Sequence, residues 1–287
     1  MNFFELAEPE TLRDAIGLLG APDLTGRPIA GGTAVMLMMK AGVFQPERLI
    51  SLRKIEARFS QIEADGEGNL RIGAMTSLRA LERSAEIAAA APVISRTMRR
   101  LSNVRVRNVA TLGGHLAHGD PHLDLPPVLI ALGASLAIAG PDGFRVIAIE
   151  DLFHGYLETS LGPDELIAEV IVPGGPNRRA TYLKHTTRSA DDWPALGLAV
   201  SLTMNGDTVE TARVAIGAAT DTPRRLGSVE AALIGDTLDE TTLSAAGEAA
   251  AGEAEVHTDA RGSAAYKREL IRVFMVRAIR QATRENE

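Results

Sequence analysis

Val104-Arg105-Val106-Arg107-Asn108-Val109-Ala110-Thr111-Leu112-Gly113-Gly114-His115 leads, past Asp120 and Asp124, into an apolar run that ends at Ala134. The alternation over residues 104–109 reads as a β-type run. The paired glycines after it allow a turn through φ > 0. They also allow successive N–H groups to face one concavity, an anion-binding nest. A second loop of this design stands upstream, Ala30-Gly31-Gly32-Thr33-Ala34. Two Gly-Gly loops on one chain suggest two jaws closing on one polyanionic cofactor, such as the pyrophosphate of a dinucleotide.

Working outward, residues 10–19 have the spacing of an amphipathic helix, 27–30 of a strand entering the first loop, and 35–40 of a short helix leaving it. Residues 48–52 alternate as a strand, and 61–64 with 69–73 flank the hairpin signal Asp65-Gly66. Helices are expected over 78–84, 91–101 and 125–132. Strands over 135–139 and 144–149 pair across Pro141-Asp142-Gly143, and a strand over 165–172 stops at the linker Pro173-Gly174-Gly175-Pro176. Beyond it come three strands, 180–185, 195–204 and 208–218, the last two joined at Asn205-Gly206. Helices over 224–234, 239–251 and 264–284 follow, so strands and then helices give an α+β domain.

Composition narrows the chemistry. With 287 residues, 45% apolar and 23% charged, the chain is that of an ordinary globular protein with room for two or three small domains. A net charge of −7 argues against nucleic acid as a partner. The absence of cysteine excludes disulfides, thiol nucleophiles and any iron–sulfur cluster held by thiolates of this chain. Met1 to Glu5 lack the regions of a signal peptide, and the longest apolar run, about 13 residues over 128–140, is too short to span a bilayer. A cytoplasmic protein that does not span the membrane is expected.

Several motifs are weighed and set aside. Gly26 to Thr33 has the glycine spacing of a Walker A loop, but Gly32 stands at the lysine position, so no ammonium clamps β- and γ-phosphates. No G-x-G-x-x-G supports a Rossmann site, and no G-x-S-x-G elbow supports a serine hydrolase. His115, His118 and His122 with Asp120 and Asp124 are dense enough for a metal, but their spacing fits no metal signature. No metal site is assigned. Trp193, the one tryptophan, is either docked on the surface beside Asp191 and Asp192 or a lid over a planar ring. Lys184 is either an exposed strand lysine or a cation beside a flavin.

With these residues in view, the chain resembles the FAD-binding medium subunit of the molybdenum hydroxylases, the group that includes aerobic carbon monoxide dehydrogenase and the flavin module of xanthine dehydrogenase. The likeness rests on the Ala-Gly-Gly loop 30–34, on Arg107-Asn-x-x-Thr-Leu-Gly-Gly-His115, and on Asp120-Pro-x-x-Asp-Leu-Pro126. Tyr182-Leu183-Lys184 and the three closing helices extend it along nearly the whole chain. The resemblance implies an α+β protein: a PCMH-type FAD-binding module over 1–175, made of two α/β subdomains (about 1–55 and 56–175), then a C-terminal domain over 176–287 with a three-stranded sheet and helices. It implies FAD held by Arg27, Pro28, Ile29, Ala30, Gly31, Gly32, Thr33 and Ala34 from the first loop. From the second side it implies Leu101, Thr111, Leu112, Gly113, Gly114, His115, Asp120, Asp124 and Ile167, with Lys184, Asp191 and Trp193 beside the flavin ring. Thr33-Ala34 and His115 depart from the residues common at those places.

An oxidoreductase subunit is then implied, with no catalytic residue of its own. It would pass electrons from [2Fe–2S] centres on a small partner through FAD to quinone, NAD or O₂, with molybdopterin on a large partner, as a dimer of heterotrimers. The alternatives are a self-sufficient FAD-dependent oxidoreductase on the same fold and a non-catalytic nucleotide-binding protein.

Overall fold

Three sheets, each with its own helices, divide the chain in the computed structural model, which describes residues 3–175 and 177–284. Met1 and Asn2, Pro176 of the expected linker and residues 285–287 lie outside the described residues. The first sheet is parallel, with β1 (Glu5–Ala7) and β2 (Gly26–Ile29) on either side of β3 (Arg48–Ser51). Helix α1 (Leu12–Leu19) connects β1 to β2, capped by the Thr11 side chain on the Asp14 N–H, and buries Leu12, Ala15, Ile16 and Leu19. Helix α2 (Val35–Lys40) follows the first Gly-Gly loop.

The second sheet has five antiparallel strands. β4 (Ile62–Ala64) and β5 (Leu70–Gly73) form the expected hairpin, and the order is β4-β5-β10-β6-β7. Between β5 and β6 run six short helices: α3 (Leu78–Arg83), α4 (Ala85–Ala90), α5 (Pro92–Met98), α6 (Val104–Val109), α7 (Leu112–Ala117) and α8 (Leu125–Ala131). β6 (Ser135–Gly140) and β7 (Gly143–Ala148) pair next, then the small hairpin β8 (Phe153–Gly155) and β9 (Glu158–Thr159), and β10 (Leu166–Val172) closes the sheet.

Two expectations are corrected here. The β-type run 104–109 is helix α6, because Asn103 caps it with its side-chain oxygen on the N–H groups of Arg105 (3.0 Å) and Val106 (3.1 Å). The stretch 112–117, expected as a loop, is helix α7 with Thr111 as its cap, so neither Gly113 nor Gly114 has φ > 0. Helix α4 was not expected at all; Ser84 ends α3 and caps α4 within one residue.

The third sheet, β11 (Arg179–His185), β12 (Leu196–Asn205), β13 (Thr208–Gly217) and β14 (Arg224–Arg225), is antiparallel and four-stranded rather than three-stranded. Residues 224–225 pair with β13 before α9 (Gly227–Leu233) begins, so the expected helix loses its first turn to the sheet edge. α10 (Glu240–Glu253) and α11 (Ala264–Arg284) cover one face of this sheet. Helix α8, buried at every position, packs on its other face as well as in the core of the second sheet, with Ala199 and Ala215 belonging to that core. An all-apolar helix is stable only with both sides covered. Among the described residues no helix is long and apolar enough to cross a membrane.

Candidate functional site

The two Gly-Gly segments, about eighty residues apart in sequence, meet in space. Gly31 lies so close to α6 that a Cβ would fall 2.0 Å from the Val109 carbonyl oxygen and 2.7 Å from the Ala110 Cα. Gly32 turns the chain at φ +72°, a conformation only glycine takes at little cost, and sends it into α2. A Cβ on Gly114 would stand 3.8 Å from Ala30 Cβ. Between the jaws lies a cleft of about 390 Å³, within the range of cofactor sites.

The second loop holds its place by spending its amides. The N–H of Leu112 donates to Thr76 O (2.9 Å), that of Gly113 to Ala74 O (2.7 Å), and that of His115 to Thr111 O (2.9 Å). A Cβ on Gly113 would lie 2.7 Å from Ala74 Cβ, so this glycine serves contact with the chain beneath it. The expected nest over 112–115 is therefore corrected to a single candidate donor. Only the Gly114 N–H, bonded at 3.3 Å to the Thr111 hydroxyl, is held loosely enough to turn to a ligand.

Of the expected residues, Arg27, Pro28, Ala30, Gly31, Gly32, Thr33, Ala34, Thr111, Gly113, Gly114, His115 and Ile167 line the cleft. The structure adds others: Val35 and Met38 one turn apart on α2, Phe44, Met75, His118 and Glu165. The spacing of Val35 and Met38 marks one face of α2 and was readable in the sequence. Phe44 and Met75 come from loops whose path no local pattern predicts. Glu165 would repel an anion, but Arg145 grips it with two 2.7 Å bonds, and that pairing holds its carboxyl below the ordinary range.

The histidine cluster separates. His115 and His118 face the cleft, while the His122 ring lies 3.0 Å from Asp120 and stacks on Trp193 at 5.6 Å. Arg261 stands over that indole, 5.7 Å from its centroid, with its guanidinium 3.3 Å from His122 Nε2. Among the described residues no three such side chains could hold a metal. Burial, with His118 beside it, pushes His115 down to about 4, so the ring is neutral at ordinary pH. Unfolded, it takes its proton near 6.5; the folded chain therefore binds fewer protons between these values. Stability is expected to fall as pH drops from 6.5 toward 4, by up to about 3 kcal/mol from this group. In urea titrations across that range, His115→Asn should flatten the slope; an unchanged slope would assign it to other groups.

Eight expected residues lie outside the cleft walls. Ile29 sits beneath Gly32, and Leu101 and Leu112 belong to the core. Asp120 is turned to His122, Asp191 is exposed, and Trp193 rests against His122 and Arg261. Asp124 and Lys184 hold each other: Lys184 Nζ donates to Asp124 Oδ2 (2.9 Å) and to Arg100 O (3.0 Å), and the Tyr182 hydroxyl donates to Asp124 Oδ1 (2.8 Å). Both charged groups are buried, and burial pushes the Asp124 carboxyl above its usual range even beside the ammonium.

Residues 2–175 match the family described as the FAD binding domain in molybdopterin dehydrogenase, and residues 181–282 match the CO dehydrogenase flavoprotein C-terminal domain. The chain is 32% identical to the carbon monoxide dehydrogenase medium chain of Afipia carboxidovorans, over 97% of this chain and 96% of that one. It is also 32% identical to the nicotine 6-hydroxylase medium subunit of Paenarthrobacter nicotinovorans, over 96% of each. Carbon monoxide dehydrogenase from Hydrogenophaga pseudoflava has a similar structure, with TM-score 0.93 and 33% identity over 98% of this chain and 97% of that one.

Proposed function

As this chain belongs to the family of FAD-binding medium subunits of molybdenum hydroxylases, and is thus an oxidoreductase subunit, we propose that it binds FAD in the cleft between its two Gly-Gly segments and serves as the electron exit of a multi-chain complex. The observation that carries the proposal is the approach of Gly31 to Val109, which builds one cleft from two distant glycine segments.

The residues present fit a flavin dinucleotide. The main chain over 30–34 and the Gly114 N–H would take the pyrophosphate, where the space a Cβ would fill is left open, and Arg27 supplies a cation at the rim. Met38, Phe44, Leu166 and Ile167 supply apolar wall that excludes water from the rings. His115, being neutral, adds hydrogen-bonding capacity without charge. When bound, FAD supplies the redox chemistry, taking electrons from a [2Fe–2S] centre of a partner chain and yielding them to an external acceptor. Catalysis on substrate would belong to a molybdopterin-bearing partner, since this chain offers no cysteine and no motif-placed acid.

The visible spectrum of the purified chain, with identification of the acid-released chromophore, tests the reading. Flavin bands and released FAD are expected. A colourless protein that also takes up no added FAD would overturn it.

A further inference from the structure

His115 on α7 and His118 at its C-terminal cap, one helical turn apart, both line the cleft. The Nε2 atom of His115 is shut off from solvent and has no hydrogen-bond partner among the described residues. A buried polar atom without a partner is costly, and a positive charge on that ring would cost more. Asp120 favours such a charge, but it is already engaged: it accepts from the His122 N–H (2.8 Å) and lies 3.0 Å from the His122 ring. Glu165, at the cleft wall, is gripped by Arg145. Arg27 of β2 adds only a like charge, and His118 also opposes one on His115. The ring of the free chain is accordingly neutral down to about 4.

The pyrophosphate of a dinucleotide changes this balance. Its place at the Gly114 N–H puts it at the residue next to His115 in the chain, and it stays ionised across the ordinary pH range. Between apolar walls an anion and an imidazolium attract each other far more strongly than in water. The anion therefore restores to the charged ring the stabilisation that burial removed. The other titratable side chains of the cleft leave this role to a histidine. Arg27 carries its charge already, and the Arg145 pairing keeps Glu165 ionised. Between the two histidines, His115 is the one with a sealed and unpartnered nitrogen.

We propose that the pyrophosphate enters the cleft together with a proton from solvent, which charges His115 and makes it the counter-ion of the anion. When the dinucleotide leaves, the proton returns to solvent. The inference rests on the function proposed above and deepens it: cofactor binding is linked to pH, and His115 is the residue that links it.

The test titrates the full-length apoprotein with FAD at a series of pH values. The complex holds a proton that the free chain does not, so affinity must rise as pH falls. Binding roughly tenfold tighter at about pH 5.5 than at about pH 8 is expected. Calorimetry in buffers of different ionisation enthalpy should count an uptake approaching about one proton. The Cε1–H magnetic resonance of His115 reads the charge at the ring itself, and its absence from the spectra of His115→Gln and His115→Asn identifies it. In the free chain it should titrate at about 4. With FAD bound its midpoint should rise by about one pH unit or more. His115→Gln keeps a donor but takes no proton, so its FAD affinity should not depend on pH over this range, whereas His118→Gln should retain the dependence. Equal affinity of the unsubstituted chain at every pH would overturn the inference. So would proton uptake that survives in His115→Gln, or a His115 resonance that FAD does not move. Those results would leave the cofactor reading standing; no FAD binding at any pH would strike that reading and this inference with it.

Discussion

Gly31→Val is expected to yield a folded chain that no longer retains FAD. Its side chain would start 2.0 Å from the Val109 carbonyl oxygen, and that atom is backbone, with no rotamer to escape into. The jaws must part by the width of a methyl group or more, which also shifts the Thr111 cap and the Gly114 N–H that α7 presents. Overpacking of this kind costs about 1–3 kcal/mol. The larger loss falls on the ligand, because a cleft built from two segments is useful only while both stand at the right separation. A fall in FAD affinity of roughly 100-fold or more, equivalent to about 2.7 kcal/mol, is expected from fluorescence titration of apoprotein. Gly17→Ala is the control: Gly17 lies in α1 with nothing within 4 Å of a Cβ, so alanine there should leave FAD binding intact and favour the helix. Equal FAD affinity in Gly31→Val and the unsubstituted chain would remove the loop contact from the account of the site.

The second large effect is expected at Asp124. Asp124→Asn leaves the Lys184 ammonium buried beside a neutral amide, with the Arg100 carbonyl as its remaining acceptor. Breaking one partner from a buried pair costs about 3–5 kcal/mol. For a chain of this size that corresponds to a fall of roughly 10 °C in melting temperature. Lys184→Met should cost less, because burial has already raised the Asp124 carboxyl and it can take up a proton. The sign of its pH dependence follows. A carboxyl raised in the folded state binds a proton that the unfolded chain releases near 3.8, so stability of Lys184→Met should decline as pH rises above that value. Thermal melts of both variants between pH 4 and 8 separate the cases. Identical, pH-independent losses would mean that the pair acts by packing and not by charge.

Legibility in the sequence varied with the range of the interaction responsible. Helix α2 matched the expected limits, 35–40, and the hairpin β6–β7 came at the expected place, because glycine and proline punctuate these segments locally. Helix α6 was misread. Valines at 104, 106 and 109 alternate like a strand, and what makes them helical is the Asn103 cap together with the burial of Arg107 on Glu82, twenty-five residues away in sequence. Asp124 and Lys184 were singled out as cofactor contacts, and in the structure they bond to each other. Their mutual bond depends on β11 being laid against α8, which no spacing reveals.

The sequence by itself determined the glycine punctuation, the apolar periods of most elements, the absence of thiol chemistry and the motifs that carry the family. These are properties of neighbouring residues, and backbone sterics and side-chain alternation act over a few positions. Tertiary structure decided which amides remain for a ligand and which charges neutralise each other. Leu112 and Gly113 lose their N–H groups to Thr76 and Ala74, and Glu165 loses its field to Arg145, only when distant segments are brought within hydrogen-bond distance. A donor or a charge is available to a site only if folding has not already paired it, and that pairing is a property of the packed chain.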